Sequence, residues 1–366
     1  MTGGKSGDTE LQSTELYGSK SISLPDLPSP RHGHVAFISA DGHLAVCGGQ
    51  TQGNYTPSCL VLDPLQEADS PRTWRHDVIH NLTEARHGSS AVTISIGTYV
   101  LGGAGSDQGH SSEVLLAGSK QWVTGPTLPK RFYDGCALPL PPNSFLIVHG
   151  DEIREFDSRL ANSTSDLGWL PVHKWPRLKA EAFSSGGCAI IGQRLVVVGG
   201  VYGNNKVEVI DIDSRVQVDG PPMQQGRAYF SLALVGAGAS ATLLALGGKV
   251  SSDQGGKYSS VQSVEEYFTF SNTWKRSEDL AEARHHFGTV SLPAQLRCVA
   301  DFPTISNGDI DCFGETYMPV GTSCAVNCTQ EHGYHLENDD TTSVVCGWGS
   351  TWLTEAKCGK KNFLYN

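Results

Sequence analysis

The sequence predicts an all-β protein in two parts, a large domain of repeated sheet units followed by a small cross-linked module. Three observations carry this. Apolar runs closed by two glycines recur, as in Leu195-Val196-Val197-Val198-Gly199-Gly200 and Leu243-Leu244-Ala245-Leu246-Gly247-Gly248. Glycine, at 42 residues against 3 methionines and among many short apolar runs, favours strands and turns over helices. Six of the ten cysteines crowd between Cys298 and Cys358, the density of a disulfide-stapled module. A chain of 366 residues suits one large domain plus one small one.

The diglycine also stands at Gly3-Gly4, Gly48-Gly49 and Gly102-Gly103, and in worn form at His149-Gly150. Successive second glycines lie 45, 54, 47, 50 and 48 residues apart. Each unit reads Arg or a relative, an apolar strand, a second strand ending Gly-Gly, a Val-Glu-x-Tyr-like strand, an aromatic position and a Leu/Pro-rich corner. This pattern resembles kelch repeats, one propeller blade each. The resemblance implies a six-bladed kelch-type β-propeller over residues 1–292.

Residues 1–30 read as the tail of a blade. Only Met1-Thr2 precede Gly3-Gly4; Ser13 to Tyr17 resembles a third strand, and Leu24 to Arg31 a corner. No charged-then-apolar leader is visible; because the chain starts at the end of a strand, Met1 is expected to be internal to a longer natural chain, with a secretory leader upstream. Blade one runs from Arg31, with strands Val35 to Ile38, Leu44 to Cys47 and Leu60 to Asp63, and Trp74 on the outer one. Blade two starts at Arg86, has Tyr99-Val100-Leu101 before its glycines, and places Trp122 outermost. Blade three starts at Arg131, runs Phe145 to Val148 and Glu152 to Asp157, and takes Trp169 or Trp175 as its anchor. Blade four is the most divergent, with Lys179 to Glu181 in place of the arginine and no tryptophan near Val216 to Val218. Blade five starts at Arg227 and ends at Trp274 and Leu280.

A further beginning follows at Arg284, where residues up to Leu292 supply a first strand and stop. The N-terminal stretch has the rest of a blade without its first strand. Pairing the two closes the expected ring, leaving no unpaired strand edge or unburied blade face.

Glycine after each second strand permits a positive-φ turn that a side chain resists. The repeated tryptophans are expected to wedge between blades. Asp157 and Asp211 recur after third strands and read as turn caps. Two similar loops, Ser106-Asp107-Gln108-Gly109 and Ser252-Asp253-Gln254-Gly255, read as turns, since one acid per loop is too few for calcium.

After residues 293–297, a linker, residues 298–358 show Cys298, Pro303 to Gly308, Tyr317, Gly321, Cys328, Gly333-Tyr334-His335-Leu336, Cys346, Trp352 and Cys358. This resembles a sushi, or complement-control, domain. The resemblance implies bridges Cys298 with Cys346 and Cys328 with Cys358. Cys312 and Cys324 form the extra pair seen in selectin-like six-cysteine members. Ala356 stands where the family often has proline. Residues 359–366 are a tail.

Such a module needs an oxidising compartment, because about 60 residues bury too little apolar surface to fold securely without cross-links. Sequons at Asn54, Asn81 and Asn162 agree; a fourth, Asn327, is a poorer acceptor beside Cys328. The chain is therefore expected to be secreted or an ectodomain. In the propeller, Cys47 and Cys59 flank a hairpin and fit either a bridge or two thiols. Cys136 and Cys188, in matching places on neighbouring blades, read as free buried thiols.

A formal charge of −11 argues against nucleic acid as partner, and no apolar stretch is long enough to cross a bilayer. His32, His34, His87, His285 and His286 gather at the blade starts, near one mouth of the expected channel. They carry no metal-ligand spacing, and no triad order, phosphate loop or HExxH appears. The expected function is non-catalytic, without cofactor: an extracellular binding, adhesion or recognition protein whose propeller loops and sushi module meet a protein or glycan ligand. The alternatives are an intracellular kelch adaptor of a ubiquitin ligase, lacking its N-terminal domain, and a galactose-oxidase-like copper enzyme.

Overall fold

The computed structural model describes residues 1–17, 22–62, 73–105, 107–161, 168–179, 184–201, 204–235, 241–251, 258–269 and 271–291. Towards the C-terminus it describes the strand segments 297–299, 308–311, 317–319, 323–328, 334–336, 343–346, 352–353 and 358–360. The chain divides into two compact units, 1–62 with 73–291, and 63–72 with 292–366.

The first unit is a β-propeller. Blade one comprises Val35–Ile38, Leu44–Cys47, Cys59–Leu62 and Trp74–Arg75 from the inside out; blade two Ser90–Ile94, Gly97–Leu101, Ser112–Leu116 and Trp122–Thr124. Blade three has three strands, Cys136–Leu140, Ser144–His149 and Glu152–Asp157. Blade four comprises Gly187–Ile191, Arg194–Val198, Val207–Asp211 and Gln217–Gly220; blade five Ser231–Val235, Thr242–Leu246, Val264–Phe268 and Thr273–Arg276. The second strands read as unbroken apolar runs because both their faces are covered: all of Leu44–Cys47 and of Gly97–Leu101 is buried.

Five such blades form, where six were expected. The shortfall lies at the seam between residues 1–17 and 284–290, where single bridges stand in place of a ladder. Thr2 bridges Gly288 on one side and Thr14 on the other, and Thr14–Leu16 pairs with Ile22–Leu24. The Thr2 and Gly288 amides exchange hydrogen bonds of 2.9 and 3.1 Å. This seam packs on both flanks, Phe287, Met1 and Tyr17 against Leu246 and Leu280 of blade five, and Leu24, Leu27 and Val290 against Val46 and Trp74 of blade one.

Around the axis runs a closed circle of backbone hydrogen bonds. Gly33 N–H donates to the His286 carbonyl (2.7 Å), Gly88 to Gly33 (2.8 Å) and Asp134 to Gly88 (2.8 Å). Ser185 donates to Asp134 (2.6 Å), Tyr229 to Ser185 (2.6 Å) and His286 to Tyr229 (3.1 Å). All six residues are left-handed, with φ between 49° and 67°. That conformation costs a non-glycine residue roughly 1–2 kcal/mol, so Ser185, Tyr229 and His286 hold it because the circle fixes them.

Each arginine at a blade start, blades three and four apart, works as a latch. Arg86 Nη1 donates to the carbonyls of Gly102 (2.9 Å) and Ser111 (3.0 Å), and its Nε to Glu113 (3.1 Å). Arg227 repeats this on Gly247 (2.9 Å), Ser263 (2.8 Å) and Glu265 (2.7 Å). Arg31 does so on Gly48 and Ser58, with leucine at the glutamate's place. Arg284 reaches across the seam to Gly3 (2.9 Å) and Ser13 (3.3 Å), with Glu15 3.5 Å away. The glutamates also accept amides from the preceding corner, as Glu15 does from Ala281 (3.0 Å) and Glu265 from Gln224 (2.7 Å).

Blade three departs from the expected pattern. Arg131 is exposed, and the connection after its second strand is a tight turn at Gly150-Asp151. Glu152 is held instead by Lys130, Arg154 and Arg177.

The expected wedges are in place. Indole N–H groups of Trp74, Trp122, Trp169 and Trp274 donate to carbonyls of Pro25, His80, Thr127 and Pro221, each in the corner leading into the blade (2.9–3.0 Å). Trp169 is thus the blade-three anchor. Trp175 fills the space against blade four, where the guanidinium of Arg215 lies 3.6 Å over its ring. Asp157 and Asp211 cap their turns as expected, accepting the amides of Arg159 and Ser214.

Cys47 and Cys59 are bridged across the diglycine hairpin. Cys136 and Cys188, expected as free thiols, are bridged too, with Cα atoms 6.2 Å apart. Matching places on innermost strands bring neighbouring blades within disulfide reach. This bridge joins blades three and four.

In the second unit Arg297–Val299 pairs with Tyr317–Pro319, and Tyr334–Leu336 with Cys358–Lys360. Gly308–Asp311, Ser323–Cys328, Ser343–Cys346 and Trp352–Leu353 form one sheet. Cys328 is disulfide-bonded. The side chains of Cys298, Cys312, Cys324, Cys346 and Cys358 lie outside the described residues, so the expected pairing is not drawn from the structure. Among the described residues no helix is long and apolar enough to cross a membrane.

Two outcomes test the ring. Arg284→Met takes away the buried guanidinium beside Glu15 and the donor to the Gly3 carbonyl and is expected to cost about 3–5 kcal/mol in urea unfolding. Arg276→Met, which removes an exposed pair with Asp279, is expected to cost under about 1 kcal/mol. Loop closure makes the Cys136–Cys188 bridge worth about 4 kcal/mol and Cys47–Cys59 about 3 kcal/mol. Paired Cys→Ala variants should therefore lower the unfolding midpoint in that order.

Candidate functional site

The strand 2–3 connections and the blade starts emerge on the same face. Three of the connections extend as β-hairpins: Lys5–Ser6 with Thr9–Glu10, Gln50–Thr51 with Asn54–Tyr55, and Lys249–Ser251 with Tyr258–Ser260. They stand on the seam, blade one and blade five, which are adjacent. Side chains tie them laterally: Gly7 N–H donates to Ser260 Oγ (2.9 Å) and Gln52 N–H to Glu10 (2.9 Å). Blade three offers only its tight turn at Gly150-Asp151.

At the foot of the hairpins the structure brings together four of the five histidines singled out in the sequence. The ring centroid of His32 lies 5.0 Å from His87 and 6.3 Å from His286, and His87 lies 6.0 Å from His286. His285 is 5.1 Å from His286 and shares a 2.9 Å contact with Ser260 Oγ. His34 points inward, its Nε2 2.7 Å from Thr2 Oγ1. The geometry follows from the backbone: each histidine before a circle residue pairs with the residue after a diglycine, as His32 does with Gln50, His87 with Ala104 and His285 with Lys5.

Residues that the sequence reading passed over complete the mouth. Tyr229 stacks on His286 at 3.8 Å and Tyr55 on His87 at 5.7 Å. Glu10 lies 3.2 Å from His32. The His87 ring lies over Gly33 and the Asp134 carboxylate over Gly88, where a Cβ would come within 2.3 and 2.6 Å of them. Only glycine fits either place. Lys5 and Lys249 stand at the hairpin feet, and Lys249 Nζ is 5.8 Å from the Tyr229 ring centre. Their signal was present in the sequence, since each directly follows a diglycine.

These imidazoles are neutral at physiological pH. Burial, then the neighbouring His87 and Lys5, brings His32 down to about 4. Burial, then Lys249 and Lys5, brings His285 down to about 3. His87 is lowered by burial and Lys5, and His286 far more by burial and its histidine neighbours. Burial pushes Asp134 the other way, up to about 6. His87 Nε2, His286 Nδ1 and Ser185 Oγ are buried without a protein partner. Among the described residues no group of three or more His, Cys, Asp or Glu side chains is placed to hold a metal ion.

The loop at Asp107–Gly109 is a short 3₁₀ turn, and Ser252 to Gly255 lies outside the described residues. Asn54 and Asn81 are exposed, and Asn81 Oδ1 accepts the Cys59 amide (3.0 Å). Asn162 lies outside the described residues.

No protein-family model matches the chain. No curated protein matches it either. Among solved structures, 308 chains match, so the likeness is to a widely used fold. One, titled "Structure of YjhT", superposes with a TM-score of 0.58 over 88% of this chain and 99% of that one. At 13% identity the likeness shows the fold alone.

Because Asp134 binds its proton more tightly folded than unfolded, it costs stability above about pH 6, and the cost fades towards pH 4. Asn tolerates the left-handed φ of 49° there. Asp134→Asn is therefore expected to raise stability at pH 7 by on the order of 2 kcal/mol, with the gain vanishing near pH 4 in urea unfolding. The histidines work oppositely: their lowered values give stability that is present above pH 6.5 and lost as the pH falls towards 4.

Proposed function

We propose that the protein is a non-catalytic extracellular binding or recognition protein, with the walled mouth of the propeller as its ligand-meeting surface. The observation that carries this reading is the pair of disulfides within the propeller, Cys47–Cys59 and Cys136–Cys188. Reducing compartments keep such thiols apart, so the bridges favour an oxidising location over the intracellular adaptor. Bonded Cys328 is in keeping with this.

The finer fold reading belongs to the same proposal. The repeats are of the kelch type, and the seam is a reduced sixth blade. Arg284 sits to Gly3, Ser13 and Glu15 as Arg86 sits to Gly102, Ser111 and Glu113, and the backbone circle has one residue for each of six positions. The C-terminal module is a sushi domain, on the cysteine and Trp352 pattern of the sequence. Asn54, Asn81 and Asn162 carry glycans.

Peptide mapping of the protein from its native source, alkylated before reduction, tests the location. Both propeller bridges and glycan-dependent mass at Asn54 and Asn81 are expected. Free, alkylated Cys136 and Cys188 would turn the reading to the intracellular adaptor.

A further inference from the structure

We infer that Asn81 receives its glycan only on the unfolded chain, whereas Asn54 stays an acceptor after the propeller has closed. This deepens the glycoprotein part of the reading above and rests on it. Both asparagines are exposed, and both stand in the Asn-x-Thr triplet that glycosylation requires. Exposure alone treats the two sites alike. Their hydrogen bonds do not.

The Asn81 triplet is pinned at all three residues. Asn81 Oδ1 accepts the Cys59 amide (3.0 Å), and the Leu82 amide donates to the Pro57 carbonyl (2.9 Å), which ties both residues to blade one. The Leu82 side chain is buried, in one cluster with Val61 of blade one and Leu115 of blade two. Thr83 donates twice to Glu113 of blade two, from its amide and from its hydroxyl, each at 2.7 Å. Glu113 is itself buried and held by Arg86. A transferase has to take the asparagine amide and the threonine hydroxyl into its own cleft together. At Asn81 that means breaking the Glu113 contacts and drawing a core leucine out from between two blades.

Asn54 follows the turn of the hairpin that pairs Gln50–Thr51 with Asn54–Tyr55. Its Nδ2 has one contact, to the Gln52 carbonyl at 3.4 Å. The middle residue, Tyr55, is exposed even as it stacks on His87, so no core side chain has to follow the triplet out. Thr56 Oγ1 accepts the Ser58 amide (3.1 Å) and, among the described residues, donates its own proton to none.

The transfer itself is the same at both sites. Nδ2 attacks the anomeric carbon of a lipid-pyrophosphate-linked oligosaccharide. The C–N bond forms as the C–O bond to pyrophosphate breaks; the lipid pyrophosphate leaves with the electron pair, and the amide gives up one proton to solvent. Oδ1 is untouched, so a glycan on Asn81 is compatible with the bond to Cys59 in the finished blade. Glu113 follows Thr83 by 30 residues, about 2–6 s of synthesis, so the site is open only briefly.

The test takes the full chain made without glycans, in one sample folded with its bridges formed and in the other reduced, alkylated and unfolded. Each is incubated with an oligosaccharyltransferase and a lipid-pyrophosphate-linked oligosaccharide, and glycopeptide mass spectrometry reads the initial rates. Folding should slow transfer to Asn81 at least tenfold and transfer to Asn54 less than threefold. A fall at Asn81 no larger than that at Asn54 overturns the proposal, and so does an absence of transfer to Asn81 on the unfolded chain. The mapping of the native protein is independent of these rates. Free thiols and bare asparagines there would end the extracellular reading and leave the difference between the two triplets standing.

Discussion

A ring of sheets has no stable end. Each blade buries its faces only against its neighbours, so everything else in this propeller depends on the contact between residues 1–17 and 284–290. That contact is built from backbone bridges at Thr2, apolar packing on both flanks, and the buried guanidinium of Arg284, joined to Gly3 and Ser13 across more than 270 residues of sequence. The arginine does at the seam what Arg86 and Arg227 do inside their own blades. It satisfies carbonyls that the diglycine turn leaves facing inward and pairs with a buried carboxylate, so the tie is both a hydrogen-bond and a charge requirement.

The same closure positions the mouth. The backbone circle forces one residue per position into left-handed φ and aims the residue before it at the axis. That is why His32, His87 and His285, far apart in sequence, share one opening. Hairpins following Gly4, Gly49 and Gly248 rise beside it. The result is a frame with a floor of histidines, flanked by Lys5 and Lys249 and by the carboxylates of Glu10 and Asp134.

The propeller was legible in the sequence because its strands, glycines and tryptophans each recur at a fixed period with a physical reason. The latching arginines were legible as a position, but their partners were not, since the receiving carbonyls belong to backbone that only the turn exposes. Arg131 shows the limit: the residue type recurs, yet here it is exposed where Arg31, Arg86 and Arg227 are buried. Cys136 and Cys188 were placed correctly on neighbouring strands and assigned the wrong redox state, because sequence spacing does not give the distance between two innermost strands. The histidines were visible as a cluster. Tyr229 and Asp134 were not, and Lys5 and Lys249 were legible only as the residues that follow a diglycine.

Amide hydrogen exchange at the circle tests closure most directly. Gly33, Gly88, Asp134, Ser185, Tyr229 and His286 should exchange slowly and with one common opening free energy, shared by Thr2 and Gly288. If Gly33, His286, Thr2 and Gly288 exchange orders of magnitude faster than Gly88, Asp134 and Ser185, the ring is open at its seam and the account fails.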